Sequence, residues 1–165
     1  MMKLLNCLIY LGILGLLAFP LGRLLAHCKF DPDRFPFREY SWEDGGRIYE
    51  KLFKIKKWKD RVPDVSKMVP GIVPRKAMKM PGVEELNGMI NETCVAELTH
   101  LVLIPLGIPI LFIIQGWIGT VIFLVDIFMG NLPFAIIQRY NRFRYLKLRS
   151  KCESFDSKRE HGNRT

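Results

Sequence analysis

Two groups of polar residues flank a long apolar stretch in this chain. Glu97 and His100 precede the stretch, and between the groups residues 101–137 contain a single ionisable side chain, Asp126. The group that follows is polar and basic and consists of Gln138, Arg139, Tyr140, Asn141, Arg142 and Arg144. If the apolar stretch folds back on itself, the two groups meet at one membrane face. The sequence therefore predicts one site built from both.

Glu97 and His100 have the residue types and the spacing of a general base with its orienting partner. They lie three residues apart, which places them on the same face of a helix. A carboxylate in that position can orient the imidazole, and a neutral histidine can then take a proton from an attacking hydroxyl, typically accelerating a reaction by about 10²- to 10⁴-fold. The alternative is that the two residues simply cap a membrane span in the headgroup layer.

The group that follows the apolar stretch is suited to binding an anion and a sugar or a carbonyl. The guanidinium forks of its three arginines match phosphate or phosphopantetheine oxygens. Gln138 and Asn141 can hold a sugar hydroxyl or a thioester carbonyl, and Asn141 or Tyr140 can donate to a developing oxyanion. The alternative is that basic residues after a last span are the ordinary signal of membrane topology.

The apolar stretch has the length of a helical hairpin. A span needs roughly 20 apolar residues to cross a hydrocarbon core of about 30 Å, so residues 96–138 can hold two slightly short helices with a break near Gly116. Pro105 and Pro109 each remove a backbone donor from the first arm. The hairpin is therefore predicted to be either transmembrane or re-entrant, and both versions return the chain to its starting side.

A further apolar segment at residues 1–26 predicts an N-terminal transmembrane helix. A cleaved signal peptide is the competing interpretation. However, Lys3 is the only basic residue before the apolar core, and no small-x-small cleavage site follows that core. Lysine and arginine are concentrated in residues 27–95 and 139–165, and such flanking residues are retained in the cytoplasm. We therefore expect the N-terminus outside and the C-terminus in the cytoplasm.

The segment of residues 27–95 is predicted to be cytoplasmic or interfacial. Prolines in residues 30–37 favour an extended run along the membrane surface. Residues 47–61 combine apolar spacing with many lysines, which predicts a basic interfacial helix, although a soluble amphipathic helix packed on a small domain has the same pattern. Residues 61–81 are rich in proline and predict an irregular cover over the site. The basic tail of residues 139–165 is expected to fray after Lys151.

Composition excludes several other classes. The four dispersed cysteines lack metal-ligand spacing, so we expect neither a metal site nor a disulfide. The net charge of +9 adjoins apolar segments and no nucleic-acid motif is present, so an anionic leaflet is the better partner. Asp126 is costly inside a bilayer and is expected to face protein, to be protonated, to face Arg23 or to act as an acid. The predicted fold class is an all-α integral membrane protein.

At these same residues the chain resembles the glycosyl-4,4'-diaponeurosporenoate acyltransferases of staphyloxanthin biosynthesis. The resemblance runs from about residue 30 to residue 144. The residues that carry it are Lys57, Trp58 and Lys59, then Ala96, Glu97, Leu98 and His100, then Asn131 and Pro133, then Gln138 to Arg142 and Arg144. It departs from the expected pattern at Leu101, where the family has tryptophan, and at Phe143, where it has proline.

This resemblance implies a small membrane enzyme that transfers a fatty acyl group from an acyl thioester to a sugar hydroxyl of a glycosylated carotenoid or related glycolipid. It makes Glu97 and His100 the leading catalytic pair, and we expect Trp58 to join the polar group in binding substrate. Acyl-CoA is the expected co-substrate, with no bound cofactor, in a multi-pass protein of a bacterial cell membrane. The alternative is a small membrane scaffold or lipid-binding protein without catalysis.

Overall fold

The computed structural model describes residues 2–59 and 81–162, and the regular elements in this part of the chain are all helices. The helices are α1 (Met2–Ala26), α2 (Arg47–Lys51), α3 (Val83–Leu106), α4 (Ile110–Ile113), α5 (Trp117–Val125) and α6 (Leu132–Gly162). A π-helical turn, Asp126–Asn131, joins α5 to α6, and 3₁₀ turns occupy Asp44–Gly46 and Ile55–Lys57. The all-helical part of the predicted fold class is confirmed.

In the described part of the chain, three helical segments are long and apolar enough to cross a membrane. They are Met2–Ala26, Val83–Ile113 and Trp117–Phe155. Their surfaces carry many exposed large apolar side chains, such as Leu16, Phe112 and Trp117, each about three-quarters exposed. Side chains of this kind match a lipid environment. These segments account for the apolar stretches seen in the sequence.

The first two segments run antiparallel. At one end the Tyr10 hydroxyl donates to the Leu106 carbonyl at 2.7 Å. At the other end the Asn91 amide accepts from the Phe30 backbone N–H at 2.8 Å and donates to the Cys28 carbonyl at 3.1 Å. We call the second end, where α1 ends and α3 begins, the base, and the opposite end the tip.

The hairpin turns at the tip where the sequence predicts a break. α4 ends at Ile113, and α5 begins at Trp117 after Gly116, whose φ of 88° is the left-handed conformation that favours glycine. The turn is tight, because a Cβ added at Gly119 would lie 1.8 Å from the Ile114 carbonyl oxygen. The helical arms extend beyond the predicted residues 96–138, from Val83 to Gly162. The tail expected to fray after Lys151 is helical as far as Gly162.

The predicted interfacial helix over residues 47–61 is wrong in its length and in what its apolar face contacts. α2 ends at Lys51, and Lys54 has a φ of 47°, which breaks the helix. Tyr49 and Ile55 are buried in a core cluster with Tyr140 and Phe143 of α6. Contact with α6 overrides the helical pattern because it buries both side chains in one cluster.

The segment between α1 and α2 is irregular, as its prolines predict, but it is not extended. Residues 32–37 form successive turns, closed by backbone bonds such as that from the Phe37 N–H to the Arg34 carbonyl at 2.8 Å. We call residues 27–46 the base loop, since they cover the base of the hairpin. The predicted cover at residues 61–81 and the end of the predicted helix at residues 60 and 61 fall almost entirely outside the described residues.

Candidate functional site

Packing of α3 against α6 brings the two polar groups of the sequence together at the base. Both oxygens of Glu97, on α3, accept hydrogen bonds from α6: Oε1 from Arg139 Nη1 at 2.8 Å and Oε2 from Arg142 Nη1 at 2.5 Å. All three side chains are nearly or fully buried. The residues predicted to meet do meet, but they form an ion-pair cluster.

Arg139 uses every one of its hydrogen-bond donors inside this cluster. Nε donates to Glu43 Oε1 at 2.5 Å, and Nη2 donates to Glu43 Oε2 at 2.9 Å and to the Arg38 carbonyl at 2.8 Å. Nη1 donates to Glu97 and to the Pro36 carbonyl at 3.0 Å. A guanidinium has five N–H groups, so none remains for a substrate.

Arg142 is enclosed in the same way. Its side chain is 1% exposed, and Nη2 donates to the Phe37 carbonyl at 3.2 Å while its guanidinium carbon lies 5.4 Å from the centre of the Phe37 ring. Nη1 also contacts Cys94 Sγ at 3.8 Å. The expectation that Arg139 and Arg142 bind a donor phosphate is therefore wrong, because both guanidinium groups bind the protein itself.

Glu43, which sequence reasoning missed, is the fourth charged member of the cluster. It is 0% exposed and accepts from Arg139, from the Tyr49 hydroxyl and, at 2.7 Å, from the Tyr40 backbone N–H. Burial by itself raises the pKa of the Glu43 carboxyl, but these hydrogen bonds and the Arg139 charge hold that pKa below its usual value. No local pattern marks Glu43 as a charged partner, since Arg139, the cation that it binds, lies 96 positions away in sequence.

His100 has a different partner from the one predicted. Its Nδ1 lies 3.3 Å from Asn131 Oδ1, whereas both Glu97 oxygens face arginines. The imidazole also stacks on the Phe134 ring at 4.9 Å between centroids and 15° between planes. The expectation that Glu97 orients His100 is wrong, because the carboxylate faces the arginines of α6 and the histidine faces the π turn. The imidazole is partly exposed.

Asp126 faces the protein, as expected because a carboxylate exposed to lipid would be costly in free energy. Its Oδ2 and its backbone carbonyl lie 3.3 Å and 3.2 Å from Asn131 Nδ2. Asn131 is 5% exposed, so it connects Asp126 to His100 within the protein interior. In the sequence, Asn131 is a polar residue within an otherwise apolar stretch, and such residues often mark functional sites.

Gln138 and Asn141 lie on the His100 side of α6. They follow Phe134 by four and seven residues, a spacing that places all three on one stripe of a helix. Both side chains are partly exposed, and no hydrogen bond to either is recorded within the described part of the chain. Their amides are accessible to a ligand.

The remaining predicted site residues lie in or beside the core cluster at the base. Tyr140 is 3% exposed and its hydroxyl donates to Glu50 Oε1 at 2.7 Å, so it is not placed to stabilise an oxyanion. The Trp58 indole donates to the Phe53 carbonyl at 2.7 Å and its ring packs on the core cluster. Arg144 is exposed, and it shares the Tyr140 ring with Lys59: their cationic groups lie 5.9 Å and 5.7 Å from its centre.

These features are those of a helical protein suited to a membrane. Within the described residues three apolar helices suit a membrane, and a partly exposed histidine lies inside the hairpin, against the Phe134 stripe of α6 that also carries Gln138 and Asn141. No cluster of three or more potential metal ligands occurs in the residues that the structure describes.

Comparison with known proteins defines the family. The family model of glycosyl-4,4'-diaponeurosporenoate acyltransferase matches residues 33–151. A protein of that name from Staphylococcus aureus strain MRSA252 is 30% identical over 145 residues, which cover 86% of this chain and 85% of its own. Namesakes from strains N315 and USA300 are 28% identical over the same lengths. The chain belongs to the glycosyl-4,4'-diaponeurosporenoate acyltransferase family. No solved structure matches it significantly.

Proposed function

We propose that this protein is a membrane acyltransferase that moves a fatty acyl group from an acyl thioester to a sugar hydroxyl of a glycosylated carotenoid. Family membership supports the reaction and the acceptor class. The observation that carries the mechanism is the His100 imidazole: Asn131 and Phe134 hold it, and within the described residues no partner is recorded for Nε2. An imidazole held in this way can serve as a general base.

The reaction proceeds by direct transfer. His100 takes the proton of the sugar hydroxyl as its oxygen attacks the thioester carbonyl carbon. The tetrahedral intermediate collapses, the carbon–sulfur bond breaks, and the imidazolium returns the proton to the departing sulfur. The products are the sugar ester and the free thiol, and the histidine ends in its starting state.

The two amides of α6 bind the polar part of the substrates. Gln138 and Asn141 are on the His100 side of the helix and lack partners within the described chain. An amide N–H₂ donates to a carbonyl and an amide oxygen accepts from a hydroxyl, so the pair suits both a sugar and a thioester. Asn141 is the better candidate for donating to the oxyanion, since the Tyr140 hydroxyl is bound to Glu50.

The donor head binds at the surface of the base. The donors of Arg139 are all used and Arg142 is buried against Glu97 and Phe37. Arg144 therefore takes this role together with Lys59, because both cations lie over the Tyr140 ring. These charges suit the phosphates of acyl-CoA, which would approach from the cytoplasm. The acyl chain and the carotenoid would lie along the apolar hairpin.

The same arrangement orients the protein in a bacterial cell membrane. The base is rich in lysine and arginine, which supports a cytoplasmic base and C-terminus. α1 starts at the opposite end, so the N-terminus lies outside. Cytoplasmic donor and membrane-dissolved acceptor then meet at His100.

The test is acyl transfer by the purified full-length protein in lipid nanodiscs. Radiolabelled acyl-CoA and glycosyl-4,4'-diaponeurosporenoate are the substrates, and His100→Gln is compared with the wild type. We expect the variant to lose about 10²- to 10⁴-fold in rate, the typical contribution of a general base. His27→Gln is the matched control, because that histidine is exposed at the end of α1 and should leave the rate unchanged.

Two outcomes would contradict the proposal in different ways. A folded wild type that transfers no label to any glycolipid acceptor would favour a non-catalytic scaffold. A His100→Gln protein with wild-type stability and wild-type rate would remove the base while leaving the reaction intact.

A further inference from the structure

The π turn at Asp126–Asn131 interrupts what would otherwise be a continuous α-helix from Trp117 to Gly162. Such i→i+5 turns are rare and occur frequently at functional sites. This one brings together two polar side chains five residues apart, Asp126 and Asn131, opposite His100 of α3. This arrangement bears on which ring nitrogen of the His100 imidazole carries the proton.

The two Asp126 acceptors favour one orientation of the Asn131 amide. Its Nδ2 lies 3.2 Å from the Asp126 carbonyl oxygen and 3.3 Å from Asp126 Oδ2. An amide nitrogen has two hydrogens, one for each of these acceptors. The reversed amide would place its oxygen against both Asp126 oxygens, so that acceptor would face acceptor. Asp126 therefore determines that Oδ1, and not Nδ2, faces His100.

The orientation of the amide determines which imidazole nitrogen carries the proton. Oδ1 can only accept a hydrogen bond, so His100 Nδ1 must be the donor at 3.3 Å. In a neutral imidazole with a protonated Nδ1, the lone pair is on Nε2. The Phe134 ring, stacked 4.9 Å away, limits rotation of the imidazole plane.

We propose that Asn131 is a positioning residue that holds neutral His100 as the Nδ1–H tautomer with Nε2 as the basic nitrogen, and that Asp126 orients Asn131. This inference deepens the proposed function and rests on it for its catalytic meaning. During transfer Nε2 takes the hydroxyl proton and the Nδ1–H bond to Asn131 is kept. Returning the Nε2 proton to sulfur restores the same tautomer, so the histidine is ready for the next cycle.

Nitrogen NMR measures the tautomer without any need for activity. The chain has three histidines, His27, His100 and His161, so a protein labelled with ¹⁵N-histidine in nanodiscs gives few signals, and His100→Gln assigns the one of interest. We expect neutral His100 of the wild type to be protonated at Nδ1 alone. Asn131→Ala should shift it toward protonation at Nε2, and Asn87→Ala, a surface change on the same helix as His100, should not.

Kinetics separates positioning from a merely structural role. We expect Asn131→Ala to lower kcat on the order of 100-fold with little change in KM, since misplacing a catalytic group by about 1 Å costs about that much. Asp126→Asn is the conservative variant: its side-chain oxygen and backbone carbonyl still accept from Asn131, so it should retain the tautomer and most of the rate.

The inference fails if Asn131→Ala leaves the His100 tautomer unchanged, whether or not the protein is active. It also fails if Asn131→Ala shifts the tautomer but keeps the wild-type kcat in an enzyme that His100→Gln inactivates. A wild type without transfer activity but with the Nδ1–H tautomer, lost in Asn131→Ala, would overturn the proposed function and leave the positioning contact standing.

Discussion

Two predicted site residues, His100 of α3 and Arg139 of α6, have opposite roles here. Arg139 donates all five of its N–H groups to protein acceptors, whereas His100 uses one ring nitrogen and remains partly exposed. A buried charge is costly unless every donor is paired, so the guanidinium is satisfied by carboxylates and carbonyls. A neutral imidazole carries no such cost and can remain available to a substrate.

Glu43 should stabilise the protein most strongly above its titration range. The folded carboxyl has a pKa below the reference value of 4.5, so its contribution is present in full above pH 4.5 and is lost as the pH falls through the lower folded value. Removing one partner of a buried ion pair costs roughly 3–5 kcal/mol. We expect Glu43→Gln to lower the free energy of unfolding by about that amount at pH 7, and the difference from wild type to shrink in acid.

Thermal unfolding in detergent from pH 7 to pH 3 measures this effect. Asp31→Asn is the control, because Asp31 and its partner Arg34 are exposed and such pairs contribute about 0–1 kcal/mol. A Glu43→Gln protein as stable as Asp31→Asn at pH 7 would show that the cluster does not anchor the base loop.

The hairpin acts as a unit because its turn and its two arms are each closely packed. α3 and α6 meet along the base through Glu97, and they meet again through His100 and Phe134. The tight turn at the tip determines the register of these contacts. A shift of one residue along either arm would separate Glu97 from Arg142.

Gly119→Ala should disturb the hairpin far more than an alanine elsewhere in a span. The added Cβ would lie 1.8 Å from the Ile114 carbonyl oxygen, so the backbone of the turn must move. We expect a clear drop in melting temperature and a loss of transfer activity, since the register of α3 against α6 changes. Gly12→Ala is the matched control, with no atom within 4 Å of its Cβ, and should be neutral or slightly stabilising. Equal melting temperatures for the two variants would contradict this account of the turn.

Three distant parts of the chain build the base of the molecule. The base loop supplies Glu43 and backbone carbonyls, α3 supplies Glu97, and α6 supplies Arg139 and Arg142. Because the antiparallel helices place the start of α1 at the other end, the N-terminus and the C-terminal half of α6 lie on opposite sides of the hairpin. The concentration of lysine and arginine at the base predicts which side is the cytoplasm.

Native cysteines can test this orientation. Cys28 is exposed and Cys152 is partly exposed, both at the base, whereas Cys7 and Cys94 are fully buried. We expect a membrane-impermeant thiol reagent to label the protein in inverted vesicles and not in right-side-out vesicles. Lys3→Cys in a protein whose Cys28 and Cys152 are replaced by serine supplies the converse, since this variant should be labelled only in right-side-out vesicles. Labelling of wild-type cysteines from outside would reverse the proposed topology.

The sequence by itself determined that the apolar segments are helices and where in the chain they lie. Apolar length predicted the helices and placed the break at the tip near Gly116. The return of the hairpin predicted that Glu97 and the arginines of residues 138–144 would meet. These features follow from hydropathy and from backbone geometry, which depend on residues close together in the chain.

Only the tertiary structure decided which partner each polar group has. Glu43 and the base-loop carbonyls lie about a hundred positions away from the arginines that they bind, as the separations of 96 for Glu43 and 105 for Phe37 show. The spacing of the sequence suggested that Glu97 is the hydrogen-bond partner of His100. In the structure Arg139 and Arg142 bind the Glu97 carboxylate, and Asn131 of the π turn is the partner of His100. A buried charge pairs with whichever opposite charge the packed elements bring to it, and no local pattern records that choice.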